Sequence, residues 1–298
     1  MLRHRLIFGP LMIAVLIGVI YGDSRLDPAT WYAPGTVMLG ATLVIVFLCS
    51  GELYAIFRAK GIRIDRWLVV LGAVCGCILT ARPNASYLQQ ELAPASLLTA
   101  LLLIALVSYS WRYGVQGAAA AGGAVLLATI YIGMLPGFLI AIRHDYSAPL
   151  VAAIIIVVKA CDIGAYFTGR AIGRHKLIAW LSPGKTWEGL AGGVASSALL
   201  GWGLALWSNR SGFALVQDPE HDLLPLKIAA WFALLCGAVL GLVGQFGDLV
   251  ASLLKRDAGI KDSASTLPGF GGILDVADSV IIAAPAAYWL LRISTIVG

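Results

Sequence analysis

Residues 228–296 read IAAWFALLCGAVLGLVGQFGDLVASLLKRDAGIKDSASTLPGFGGILDVADSVIIAAPAAYWLLRISTI. Apolar runs from Ile228 to Phe246 and from Ser279 to Ile296 close in on a polar insert. Each run approaches the ~20 residues that a helix needs to cross a ~30 Å hydrocarbon layer. The stretch from Gly244 to Ser279 gathers Asp248, Asp262, Asp275 and Asp278, the cations Lys255, Arg256 and Lys261, and a turn containing Gly269, Gly271 and Gly272. Carboxylates suit a hard divalent metal, cations suit phosphate, and glycines admit close backbone approach. Together these residue types suggest phosphoryl-type transfer at a membrane. A solvated loop of mixed charge needs no such glycine cluster.

Outward from this stretch the chain stays apolar. Of 298 residues, 59% are apolar and 12% charged, with a mean hydropathy of +0.87. Soluble domains carry about twice that charge, so a water-soluble fold is excluded. Hydropathy predicts about nine spans: Leu6 to Tyr21, Gly35 to Phe57, Trp67 to Thr80, Ala95 to Ser110, Gly117 to Ile142, Pro149 to Thr168, Gly189 to Trp207, Ile228 to Phe246 and Ser279 to Ile296. Lipid leaves no partner for open backbone, so the spans are expected to be helices in an all-α polytopic membrane protein. Pro136 and Gly137 are expected to bend or break the fifth. The region 1–145 reads as amino-terminal helices, and 146–298 as the catalytic region, with signature loops at 159–189 and 244–279.

With a cytoplasmic amino terminus, segments inside carry 14 Lys and Arg against 6 outside, the asymmetry of the positive-inside rule. The acidic group Asp218, Glu220 and Asp222 then falls outside, and the polar insert falls inside, where nucleotides are. The net charge of +5 reflects topology and anionic lipid, with no nucleic-acid partner expected. Arg3 and Arg5 ahead of an apolar run imitate a secretory signal, but no small-x-small cleavage site follows, so a retained first helix is expected. The five cysteines (Cys49, Cys75, Cys77, Cys161 and Cys236) lie within spans and read as small apolar fillers.

Lys159 and Asp162 share one face of the sixth span and could neutralise each other. Glu52 sits inside the second span, where a functional role competes with snorkelling toward Arg58 and Lys60. In Ser182-Pro183-Gly184-Lys185-Thr186, a turn sets a Lys and two hydroxyls just before a helix, a setting that favours phosphate. Asp248 to Arg256 reads as a short amphipathic helix at the membrane surface. His4, His144, His175 and His221 show no zinc-ligand spacing, so carboxylates favour magnesium over zinc.

The block Ser252-x-x-Lys255-Arg256-x4-Lys261-Asp262-x5-Pro268-Gly269-x-Gly271-Gly272-x-x-Asp275-x-x-Asp278 resembles the signature of the phosphatidate cytidylyltransferases (CDP-diacylglycerol synthases). Asp162-x-x-Ala165-Tyr166-x-x-Gly169-Arg170 and Ser182-Pro183-x-Lys185-Thr186-x-Glu188-Gly189 are similar to that family's other shared segments, and together they cover most of 159–279. Three positions depart: Phe270 stands for a usual His, Val276 for a usual Arg, and Ala251 for a common Glu. The resemblance implies transfer of CMP from CTP to phosphatidate with release of pyrophosphate, using Mg²⁺, in a membrane such as the bacterial inner membrane.

On that reading the lipid phosphate is the nucleophile, and one or two divalent ions sit on Asp248, Asp275 and Asp278. A monovalent cation is compatible with the same set. Lys185, Lys255, Arg256 and Lys261 would hold phosphates, and Asp262 belongs to the same catalytic set. Substrate contacts are expected from Asp162, Arg170, Ser182, Lys185, Thr186, Glu188, Ser252, Gly269, Gly271 and Gly272. Partners are CTP, phosphatidate or another lipid phosphate, membrane lipids, and a second copy in a homodimer. The competing readings are a related transferase for a different lipid phosphate, a non-catalytic paralogue, and a transporter with Glu52, Lys159 and Asp162 lining its pathway.

Overall fold

A computed structural model describes residues 2–25, 34–81, 87–211, 229–264, 266–267 and 271–297. Gly269, Phe270 and the acidic group at Asp218, Glu220 and Asp222 lie outside the described residues. In chain order the elements are α1 Leu2–Arg25, α2 Thr36–Ala59, α3 Arg66–Thr80, α4 Tyr87–Tyr113, α5 Ala118–Leu127, a π-helical segment Ala128–Met134 and α6 Leu135–Asp145. There follow α7 Ala148–Ile172, β1 Lys176–Ile178, β2 Ser182–Thr186, α8 Trp187–Ser211, α9 Ala230–Asp257 and α10 Ile273–Val297.

Seven helical stretches among the described residues are long and apolar enough to cross a membrane: Thr36–Ala59, Leu92–Tyr113, Ala118–Asp145, Ala148–Ile172, Trp187–Ser211, Ala230–Asp257 and Ile273–Ile293. The third predicted run forms α3, whose 15 residues span only about 22 Å. Large apolar side chains such as Leu103, Val107 and Leu199 lie open on the helix surfaces, as lipid-facing positions should.

Two local expectations change. The fifth run does not break at Pro136. Helix continues from Ala118 to Asp145, and the π-helical turns just before Pro136 absorb the irregularity that a missing N–H creates. Asp248 to Arg256 is no separate surface helix either, because it forms the last turns of α9. At 28 residues α9 is about 42 Å long, so one end must leave a ~30 Å hydrocarbon layer without any break in the helix.

The chain forms two compact units. One comprises Met1–Val15, Thr36–Ala141 and Leu253–Ala277. Its helices approach through small residues: a Cβ on Gly76 would lie 2.7 Å from Thr129 O, and one on Gly137 would lie 2.9 Å from Cys77 O. Such contact lets helices gain packing that lipid alone cannot drive. Leu68, Leu101, Ala105 and Val125 form a buried cluster beside this seam.

The other unit comprises Leu16–Gly35, Ile142–Ser252 and Asp278–Gly298. Here α7 packs on α8 at Gly193, where a Cβ would lie 2.6 Å from Cys161 O, and α8 packs on α9 at Gly201, 2.7 Å from Ala233 O by the same measure. Between α7 and α8 the chain turns through an antiparallel hairpin, β1 with β2, pairing Lys176 with Thr186 and Ile178 with Ser182. All five cysteines are free and at least half-buried, in keeping with a filler role.

Candidate active site

In the unit that contains α7, the Lys159–Asp162 pair forms at 3.1 Å. Lys159 Nζ also donates to Ser279 Oγ at 2.6 Å, and Gln245 Nε2 donates to Asp162 Oδ1 at 2.8 Å. Three helices therefore converge on one carboxylate. Lys185, carried on β2, lies 2.7 Å from Asp248 Oδ2. A cavity of about 330 Å³ opens among Asp162, Tyr166, Ser182, Lys185, Thr186, Gln245 and Asp248, with Leu177 and Leu190 adding apolar wall.

Asp278 is the unusual member. Its residue is 2% exposed, Oδ1 accepts the N–H of Ser279 at 2.6 Å, and Oδ2 is buried with no hydrogen-bond partner. An unmet buried carboxylate oxygen is costly, so a position that keeps one invites a cation. Asp248 is close enough to act on it electrostatically. Gly247 explains that approach: a Cβ there would sit 2.6 Å from Asp278 O, so only glycine lets the α9 and α10 backbones meet at this level.

Other expected contacts in this unit hold the scaffold. Thr186 Oγ1 accepts the N–H of Gly189 at 3.1 Å and caps α8. Glu188 accepts the N–H groups of Arg174 and His175 and pairs with His175 Nδ1 at 2.6 Å, which fastens the end of α7 to the start of α8. Arg170 is exposed and donates to Tyr166 Oη at 2.9 Å. Ser182 and Ser252 are half-buried. Ala251, where the resembling family often has Glu, is 1% exposed and leaves no open route for a charged side chain.

The other unit holds a second network. Lys255 is 8% exposed, and its Nζ lies 2.5 Å from Asp275 Oδ1. Asp275 Oδ2 accepts the N–H of Gly272 at 2.9 Å and both the N–H and the hydroxyl of Ser263, at 3.2 and 3.0 Å. Four donors thus occupy most of the carboxylate's acceptor sites. Gly271 adopts φ +95°, which only glycine takes readily, and its N–H and C=O pair with Leu267 to close the turn. Gly272 has no room for a Cβ, which would collide with Ser263 Oγ and Glu52 Oε2. Arg256, Lys261 and Asp262 are exposed, with Arg256 donating to Ile260 O at 3.2 Å.

Glu52 does not snorkel. Its carboxylate is buried and accepts from Thr266 Oγ1, Ser263 Oγ, and the N–H groups of Ile273 and Leu274, all at 2.8 or 2.9 Å. Sequence reasoning missed Ser263, Thr266, Gln245 and Ser279 as members of these networks. Only Glu52 carried a signal, as a carboxylate within an apolar run.

Among the described residues, no three His, Cys, Asp or Glu side chains gather into a ready-made metal cage. Asp248 and Asp278 nonetheless fit a hard ion of the magnesium type, which characteristically takes one or two carboxylates and completes its shell with water and substrate phosphate. The orphaned Oδ2 of Asp278 is the observation that favours this fit.

Seven apolar helical stretches long enough to cross a lipid layer, with charged side chains set among them, define a polytopic membrane protein. The chain belongs to the cytidylyltransferase family, whose sequence profile matches residues 4–294. It is 31% identical over 260 residues to a phosphatidate cytidylyltransferase of Bacillus subtilis, covering 85% of this chain and 88% of that one. A phosphatidate cytidylyltransferase of Synechocystis is 29% identical over 310 residues, covering 94% and 95% of the two chains. One of Pseudomonas aeruginosa is 31% identical over 276 residues, covering 86% and 93%.

Proposed function

We propose that this chain is a phosphatidate cytidylyltransferase, transferring CMP from CTP to phosphatidate to give CDP-diacylglycerol and pyrophosphate. Full-length similarity to enzymes of that name supports the reaction, and the cavity bearing Lys185 beside Asp248 and Asp278 supports its location. The phosphate monoester of the lipid is the nucleophile and is already anionic at neutral pH, so no strong base is required. The chemical difficulty is bringing two polyanions together.

Asp248 and Asp278 are the proposed holders of Mg²⁺. A divalent ion bound there would neutralise the triphosphate and increase the electrophilicity of the α-phosphorus. Lys185 faces Asp248, so each charge satisfies the other, and with Mg²⁺ on Asp248 the lysine would be released to hold phosphate. The resemblance to the family signature adds Lys255, Arg256 and Lys261 as candidate cations for phosphate and for the leaving pyrophosphate. The test is pyrophosphate release by the purified protein with CTP, Mg²⁺ and a panel of lipid phosphates. We expect release with phosphatidate and its loss on EDTA treatment. Release with a polyprenyl phosphate alone would move the acceptor, and no release with any lipid would sink the reading.

The Lys and Arg distribution further supports an inner-membrane protein with its amino terminus and the 247–278 segment in the cytoplasm, where CTP is found. In a cysteine-free variant, a probe cysteine at Lys261 should resist a membrane-impermeant thiol reagent applied to spheroplasts. Labelling from that side would refute the orientation. A transporter reading gains nothing from the structure, because Glu52 and Asp162 are each engaged by several protein donors.

A further inference from the structure

We propose that Glu52 is a positioning residue for nucleotidyl transfer, acting through the amino terminus of α10 and the Asp275–Lys255 pair; this rests on the cytidylyltransferase reading. A helix begins with backbone N–H groups that have no partner within the helix. At α10, Asp275 takes the N–H of Gly272, the reciprocal half of a capping box, while Glu52 takes those of Ile273 and Leu274. A carboxylate at this end is also favoured by the helix dipole. Glu52 comes from α2, more than 200 residues away in the chain.

The same carboxylate reaches the segment before the glycine turn. The Ser263 hydroxyl lies 2.8 Å from Glu52 Oε2 and 3.0 Å from Asp275 Oδ2, so its single proton is shared between the two carboxylates. Thr266 fixes Glu52 Oε1 at 2.8 Å. Glu52 therefore ties Ser263 and Thr266 to the first turn of α10, and this tie holds Asp275 where it meets the ammonium of Lys255.

Glu52→Gln tests the idea because it keeps size and shape. Whichever way its amide turns, Nε2 faces one of two backbone N–H groups, Ile273 or Leu274, and one cap is lost. In full-length protein in nanodiscs, kcat for CTP-dependent pyrophosphate release should fall about tenfold or more, since a hydrogen bond to a charged group is disrupted. The KM for phosphatidate should stay within about twofold, and amide exchange at Ile273 and Leu274 should accelerate. Glu52→Asp, which keeps the charge, should recover part of kcat. Ser263→Ala combined with Glu52→Gln should lose less than the product of the single losses, because the two share one contact.

Faster exchange at α10 with kcat unchanged would reduce Glu52 to a plain structural cap and overturn the proposal. Unchanged exchange and unchanged kcat would overturn it as well. If Glu52→Gln does not fold, Glu52→Asp decides, and wild-type kcat with a shortened carboxylate counts against positioning. An inactive wild-type protein would instead strike the cytidylyltransferase reading itself.

Discussion

Asp248→Asn and Asp278→Asn should each reduce CTP-dependent pyrophosphate release by about a thousandfold or more, the scale expected when a group that stabilises transition-state charge is removed. The two should differ in stability. Asp248→Asn breaks a partly exposed pair with Lys185, so its melting temperature should change little. At Asp278 the wild-type side chain buries an oxygen without a partner, while Oδ1 already accepts the Ser279 N–H. Asparagine can keep that accepted bond and removes the buried charge, and a neutral amide N–H without a partner costs less than an unpaired carboxylate. The Asp278→Asn protein, measured in magnesium-free buffer by thermal unfolding, should melt at least as high as wild type while being inactive. Such a pairing is what a functional carboxylate held against its own stability would give. An active Asp278→Asn enzyme at saturating Mg²⁺ would remove the metal proposal, and a strongly destabilised one would make Asp278 a structural residue.

The physical causes of these networks were unevenly legible in the sequence. Apolar runs of 14 to 26 residues are a local signal, and helices form where hydropathy placed them, seven in stretches long and apolar enough to cross a membrane. The Lys159–Asp162 pair was legible too, since a separation of three on one helix fixes the geometry. By contrast, the partners of Glu52 lie 211 to 222 positions away, and no period or propensity encodes a meeting of that range. The β1–β2 hairpin was missed because Ser182-Pro183-Gly184 is turn-like in composition, and its pairing with Lys176–Ile178 leaves no alternating pattern. The end of α9 was misread for a different reason. The apolar run ends at Phe246, but the helix runs on through Gly247, where glycine stands because Asp278 O approaches.

The glycine turn and its aspartates show how one set of residue types admits two roles. Asp248, Asp262, Asp275 and Asp278 near three cations suggested a metal and phosphate site as a whole. The structure gives Asp275 four protein donors, two of them backbone N–H groups, whereas Asp278 keeps an oxygen unmet. Count and spacing in the sequence cannot distinguish an acid that anchors a loop from one that awaits a cation. Donor geometry can.

Asp275→Asn should therefore be the most destabilising of the aspartate substitutions. The Lys255 and Asp275 side chains are only 10% and 12% exposed, so losing the carboxylate charge strands an ammonium in a low-dielectric setting. Breaking a buried pair from one side typically costs roughly 3–5 kcal/mol, whereas replacing both charges is often neutral. The double variant Asp275→Asn with Lys255→Met should then recover most of the lost melting temperature. Its amide can still offer an oxygen to the Gly272 N–H and Ser263, and the methionine fills the volume of the lysine stem. Turnover should not recover with it, because the cation proposed to stabilise the departing pyrophosphate is gone. Measuring unfolding and pyrophosphate release on the same preparations separates the two roles. If the double variant regains both, Lys255 and Asp275 form a structural bridge and the leaving-group assignment falls to Lys185. If it regains neither, the negative charge of Asp275 at the amino end of α10 matters beyond its pairing with Lys255.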